Sequence, residues 1–135
     1  MLEELLRMSD VVSIHAPSIA QTHHMFCKQT LAMMKKYAIL INTARGSLID
    51  EQALYEHMAA GNLQYACLDV TDPEPPRKDH PLRSLPNVIM TPHLAGLAGN
   101  GLYRIGRNVV AQVKAYLNNE PINGEVFAQE LSHIA

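Results

Sequence analysis

The sequence predicts an α/β fold, a doubly wound parallel sheet or a piece of one, and two observations carry that expectation. Four short apolar runs, VVSIH (11–15), AILIN (38–42), YACLDV (65–70) and NVIM (87–90), alternate with segments of helical periodicity. The runs are apolar throughout rather than alternating, the pattern of strands buried on both faces by helices.

Each element has its own signal. Leu2, Leu5 and Leu6 repeat at helical spacing with Glu3 and Glu4 in the first turn, so a helix ends near Ser9 and Asp10. The first run stops at Ala16-Pro17, and a second helix is expected over Thr30 to Lys36. The second run stops at Arg45-Gly46. Asp50 then caps a third helix, with Leu54 and Met58 on its apolar face and Gly61 as its C-cap. The third run leads into a proline-rich loop, DPEPPRKDHP (72–81). Beyond the fourth, Leu102, Ile105, Val109, Val110, Val113 and Leu117 mark one face of a long helix halted before Pro121. A weaker helical pattern covers Glu125 to His133.

Composition narrows the function classes. A chain of 135 residues, 47% hydrophobic and 18% charged, reads as one soluble domain or part of one. The net charge is -2, from 11 basic and 13 acidic residues without runs of one sign, so neither nucleic acid nor an anionic membrane is an expected partner. No apolar run approaches the ~18 residues of a membrane span. The acidic, amphipathic start MLEELLRMSD does not read as a signal peptide. Two cysteines, Cys27 and Cys67, have no partner pattern; Cys67, inside an apolar run, reads as a buried free thiol, and the cytoplasm is the expected compartment.

Ligands of open parallel sheets bind beyond the carboxyl ends of the strands. The residues at those ends here are His15-Ala16-Pro17, Thr43-Ala44-Arg45-Gly46, Asp69 with Glu74 beyond it, and Thr91-Pro92-His93 followed by Leu94-Ala95-Gly96. An arginine, two carboxylates and a histidine would converge on one edge. Histidine is the usual side chain for moving a proton near neutral pH. A carboxylate beside it favours the imidazolium. Arginine grips a carboxylate with two parallel hydrogen bonds. The group suits a small oxidised or reduced acid, with hydride from a cofactor because no side chain supplies it.

Three stretches in order, INTARGSLIDEQAL (41–54), LDVTDPEP (68–75) and NVIMTPHLAG (87–96), resemble signatures of the D-isomer-specific 2-hydroxy acid dehydrogenases, and SDVVSIHAP (9–17) is similar to the stretch before them. That family includes enzymes for phosphoglycerate, glycerate, glyoxylate and D-lactate. The resemblance runs from residue 2 to about residue 120. It implies a Rossmann-type NAD-binding domain, of which residues 1–97 would be the second half, with 98–135 a helical segment returning to a substrate domain. By the same resemblance Arg45 binds the substrate carboxylate, His93 is the acid-base group and Glu74 its partner. Asp69 would contact the nicotinamide carboxamide. Ala16, Pro17, Thr43, Ala44 and Gly96 would line the cofactor cleft, which Arg45 and His93 also border. Formate dehydrogenases of the superfamily carry glutamine where this chain has Glu74, which favours a hydroxy acid. A homodimer is implied as well.

No G-x-G-x-x-G occurs in the chain. The family's pyrophosphate loop and the residue reading the ribose 2′ position are therefore missing, and NAD and NADP cannot be told apart. The expectation is a truncated form with little activity alone. Two other readings stand beside it, a non-catalytic NAD-sensing partner-binding module and an inactive gene remnant. The remaining candidates read as structural. His15 is a strand-end histidine, and His23-His24 are adjacent and cannot share a helix face for a metal. His57, His80 and His133 read as surface residues. Met33, Met34 and Met58 read as core filler, and Ser47 and Cys67 lack a base.

Overall fold

Four strands, β1 (Val11–Ile14), β2 (Ile39–Asn42), β3 (Tyr65–Leu68) and β4 (Val88–Met90), form one parallel sheet in the order β1-β2-β3-β4. The computed structural model describes residues 1–96 and 101–131. Helices α1 (Leu2–Met8), α2 (Lys28–Leu31) and α3 (Glu51–Ala59) accompany the sheet, and α4 (Gly101–Leu117) follows it. Element order and class are those expected from the sequence.

The register divides the sheet into two faces. Val12, Leu40, Ala66 and Val88 lie in one row, and Ile14, Asn42, Leu68 and Met90 in the next. Both rows pack against Leu6 of α1, Leu31 of α2 and Leu54 and Met58 of α3, and these residues form the core. The opposite face carries Val11, Ile39 and Tyr65, then Ser13, Ile41, Cys67 and Ile89. Val11, Tyr65 and Ile89 are exposed there. The apolar runs predict two covered faces, whereas one face is open among the described residues. The reason is topological. Each crossover advances one place in the same direction, and right-handed crossovers of that kind all return over the same face. Cys67 is accordingly only half-buried.

Local chemistry sets the helix ends. The Asp50 carboxylate accepts the Ala53 N–H at 3.0 Å, the cap expected at the start of α3. At the other end Gly61 takes a φ of +71°. Its N–H reaches the Met58 carbonyl, and the Asn62 N–H reaches that of His57, a Schellman closure. The helix expected over Thr30–Lys36 forms earlier and is shorter. Thr30 is not its start, because its hydroxyl oxygen accepts the Cys27 N–H at 2.8 Å and makes Cys27 the cap. After Leu31 the chain tightens, with Met33 and Met34 reaching back three residues to Thr30 and Leu31. Met34 and Met58 are buried and Met33 packs on the core, as expected.

Two of the expected surface histidines are half-buried. The His80 side chain is 10% exposed and paired with Glu51. His57 has its Nε2 buried without a hydrogen-bond partner among the described residues, and burial holds its pKa below the ordinary 6.5. In the tail, α4 buries none of its residues, and its predicted apolar face is more than half exposed at every position. The weak helix expected over Glu125–His133 is reduced to one 3-10 turn at Ala128–Glu130. Its last two positions, the 97/98 boundary and His133 lie outside the described residues.

Two glycines are required for different reasons. A β-carbon on Gly46 would sit 2.1 Å from the backbone of Thr71, whereas one on Gly61 would meet nothing within 4 Å. Gly46→Ala is therefore expected to cost roughly 1–3 kcal/mol or more through overpacking. Gly61→Ala is expected to cost about 1–2 kcal/mol through its left-handed backbone alone. Urea midpoints measure both losses, and amide NMR shifts at Thr71 and Asp72 should move only in the first variant. Unperturbed shifts there with Gly46→Ala would contradict the close packing.

Candidate active site at the carboxyl edge of the sheet

Parallel pairing brings all four strand ends to one edge. Asn42 closes β2 and is fully buried, which strand-end polar residues rarely are. Its side chain braces the following turn: Nδ2 donates to the Arg45 carbonyl at 2.8 Å, and Oδ1 accepts the Ala44 N–H at 3.0 Å. Arg45 itself is exposed, and its guanidinium donates to the carbonyl of Ala44 at 2.7 Å. Gly46 then presses the turn against the backbone after β3.

Asp69 follows β3 and is 6% exposed. Its own N–H pairs with the Asn42 carbonyl at 2.9 Å, and its carbonyl accepts the His93 N–H at 3.0 Å. The carboxylate gathers the turn after β4. Oδ1 accepts the Leu94 N–H at 2.7 Å and the Thr91 hydroxyl, and Oδ2 accepts the Ala95 N–H at 2.8 Å. Burial pushes this carboxyl pKa up. The hydrogen bonds from Thr91, Ala95 and Leu94 and the charge of His93 outweigh burial, and the net shift is below the ordinary 3.8.

The turn so anchored carries His93 at a φ of +54°. Histidine tolerates this left-handed region better than most residues, but the conformation persists only where neighbours impose it. It directs Nδ1 to Glu74 Oε1 at 2.6 Å, with both side chains a little over two-fifths exposed. A carboxylate only accepts, so Nδ1 carries the proton of this bond and Nε2 is the free atom of the ring. A cavity of about 480 Å³ adjoins the pair, lined by Asp69, Thr71, Glu74, Thr91 and His93 together with Arg83.

On the open face a second, largely apolar cavity of about 300 Å³ is walled by Ile41, Cys67, Ile89 and Leu94, with Thr43 and Asp69 at its edge. Ala16 and Ala44 are half-buried and pack on the core, Pro17 is half-buried, and Gly96 lines a separate hollow with Arg104.

The structure thus brings Asp69, Glu74 and His93 together. It places Arg45 on the same edge without a described hydrogen bond or ion pair to any of them. Sequence reasoning missed Asn42, Arg83 and the Glu51–His80 pair. Asn42 had a signal, a polar residue ending an apolar run. Arg83 had none, because a short loop turn aims it at the cavity.

Residues 1–95 match the model of the D-isomer specific 2-hydroxyacid dehydrogenase, NAD binding domain. The D-3-phosphoglycerate dehydrogenase of Methanocaldococcus jannaschii is 42% identical over 119 residues, covering 88% of this chain and 22% of that protein. The glyoxylate reductase of Thermofilum pendens is 39% identical over 129 residues, covering 93% and 38%. A D-lactate dehydrogenase of Lactobacillus jensenii, solved with NAD+, superposes with a TM-score of 0.82 at 31% identity, covering 93% of this chain and 42% of that one. The chain spans less than half the length of each of these relatives. It belongs to the D-isomer specific 2-hydroxyacid dehydrogenase family, with residues 1–95 in that family's NAD binding domain.

Proposed function

We propose that the protein is an oxidoreductase of small 2-hydroxy and 2-oxo acids that uses a nicotinamide cofactor. The observation that carries this reading is the 2.6 Å contact between His93 Nδ1 and Glu74 Oε1, held by a turn anchored on a buried carboxylate. The pairing fixes the ring and leaves Nε2 outward. There it gives a proton to a carbonyl oxygen, or takes one from a hydroxyl, while Glu74 balances the imidazolium charge. Arg45 is exposed, and its one side-chain hydrogen bond among the described residues runs from one guanidinium nitrogen to the carbonyl beside it, so it can turn to hold the substrate carboxylate. The names of relatives, D-3-phosphoglycerate dehydrogenase, glyoxylate reductase and D-lactate dehydrogenase, support a substrate class of small 2-hydroxy or 2-oxo acids.

The open-face cavity fits the nicotinamide end of such a cofactor. It offers a flat apolar wall, Ile41, Cys67 and Ile89, with Thr43 and the unsaturated Oδ2 of Asp69 for a carboxamide. A bound nicotinamide supplies the hydride. The chain has no glycine-rich loop for the pyrophosphate, so its residues account for one end of the cofactor, with Ala16, Pro17, Ala44 and Gly96 at its margins.

The test is NADH consumption by the purified protein with glyoxylate, hydroxypyruvate, pyruvate and phosphohydroxypyruvate. His93→Ala is expected to cut kcat about 10²–10⁴-fold, the usual contribution of a positioned acid-base group. Arg45→Lys should chiefly raise KM, since a point charge cannot replace the planar fork. A folded protein that neither binds NADH nor turns over any of the four acids would overturn the proposal.

Asp69 adds a pH signature. Its folded pKa lies below 3.8, so its stabilising contribution is complete above 3.8 and is lost as pH falls through the lower, folded value. Asp69→Asn replaces an acceptor with an amide that cannot accept from Ala95, and it should be less stable than wild type at neutral pH. The gap should close as pH drops below 3.8. Urea midpoints across that range decide it, and a pH-independent gap would be inconsistent with a depressed carboxyl.

A further inference from the structure

The loop that carries Glu74 is secured from beneath by a second histidine–carboxylate pair. Glu51, in the first turn of α3, places Oε2 2.7 Å from His80 Nε2, with the two side chains only 13% and 10% exposed. Its other oxygen, Oε1, accepts the backbone N–H of Asp72 at 3.0 Å. One carboxylate therefore ties both ends of the 72–80 segment to the start of a core helix. Glu74 stands two residues from the first tie, and it is exposed, so packing alone does not hold it. Thr71 adds a shorter link, its hydroxyl donating to the Pro73 carbonyl at 3.1 Å.

Burying this pair costs desolvation of both groups, and such pairs are weak contributors to net stability. His80 Nδ1 is buried with no partner among the described residues, a further cost. A surface-loop tether for stability alone would be better made by apolar contacts. What a buried hydrogen-bonded pair offers instead is directional fixation of the backbone it joins.

We propose that Glu51 and His80 are positioning residues, which hold the proline-rich loop so that Glu74 meets His93 Nδ1. The coupling between the two pairs follows from the contacts. Its consequence for turnover rests on the function proposed above. A displacement of Glu74 by a fraction of an ångström would loosen the ring and disturb the aim of Nε2.

Two measurements test it separately. The nitrogen NMR shifts of the His93 ring report the Nδ1 hydrogen bond in the folded protein without substrate or cofactor. In His80→Ala they should move toward the values of Glu74→Gln, and His80→Gln, which restores an N–H near the Nε2 position, should return them. His80→Asn, too short to reach Glu51, gives the same reading should the alanine variant fail to fold. In turnover, His80→Ala should lower kcat roughly tenfold or more, within the ~10²-fold cost of an ångström-scale misplacement, while KM stays within about twofold. In a Glu74→Gln background the same substitution should cost nothing further. His93 shifts unchanged in a folded His80 variant, or equal losses of kcat in both backgrounds, would overturn the proposal. Absence of turnover in wild type would fall on the proposed function alone, because the NMR arm still reads the contact.

Discussion

The carboxylate of Asp69 is the constraint on which the site depends. Two backbone amides and one hydroxyl from the turn after β4 point into it, while its main chain bonds β2 on one side and His93 on the other. A single buried charge thus joins three strand ends. Carboxylates that accept several hydrogen bonds stay ionised at lower pH than usual, and here those bonds outweigh the cost of burial. Without them the turn that carries His93 would lose three of its ties, and the left-handed backbone that aims the imidazole at Glu74 would be held less firmly.

Around that centre the structure repeats one device, a polar side chain set at the end of a strand or the start of a helix that bonds the backbone of a neighbouring turn or loop. Asn42 holds the turn of Arg45 and Glu51 holds the loop of Glu74, as Asp69 holds the turn of His93. Each candidate catalytic group is itself exposed. This division is physically reasonable. A group that must meet a ligand needs access, and a group that must fix geometry needs a low-dielectric setting where each hydrogen bond is directional and water does not compete.

The fold was legible because its signals are local. Apolar runs, the Asp50 cap and the Gly61 stop all act within a few residues, and the helix and strands they announce are present. Three kinds of feature were less legible. The short α2 depends on which of Cys27 and Thr30 offers the cap, a choice between neighbours that periodicity does not see. His80 and His57 look like surface residues because their partners and walls come from other elements. Strand order brings Arg45 to the same edge as Glu74 and His93, but strand order does not orient a side chain.

Alternation along the strands explains the cavity on the open face of the sheet. Successive residues of a strand point to opposite faces. Ile39 and Ile41 continue to Thr43, and Tyr65 and Cys67 continue to Asp69, so both polar residues fall on the side away from the helices, at the carboxyl end. Leu40 and Asn42 continue to Ala44 on the helix side, which is why Ala44 packs on the core instead of facing the cavity. The unbroken apolar character of the strands hid this parity, because an apolar wall for a planar ring and an apolar wall for a helix have the same composition. What separates them is the polar residue just past the strand: Thr43 and Asp69 extend the open face, and a shift of either by one position would turn it into the core.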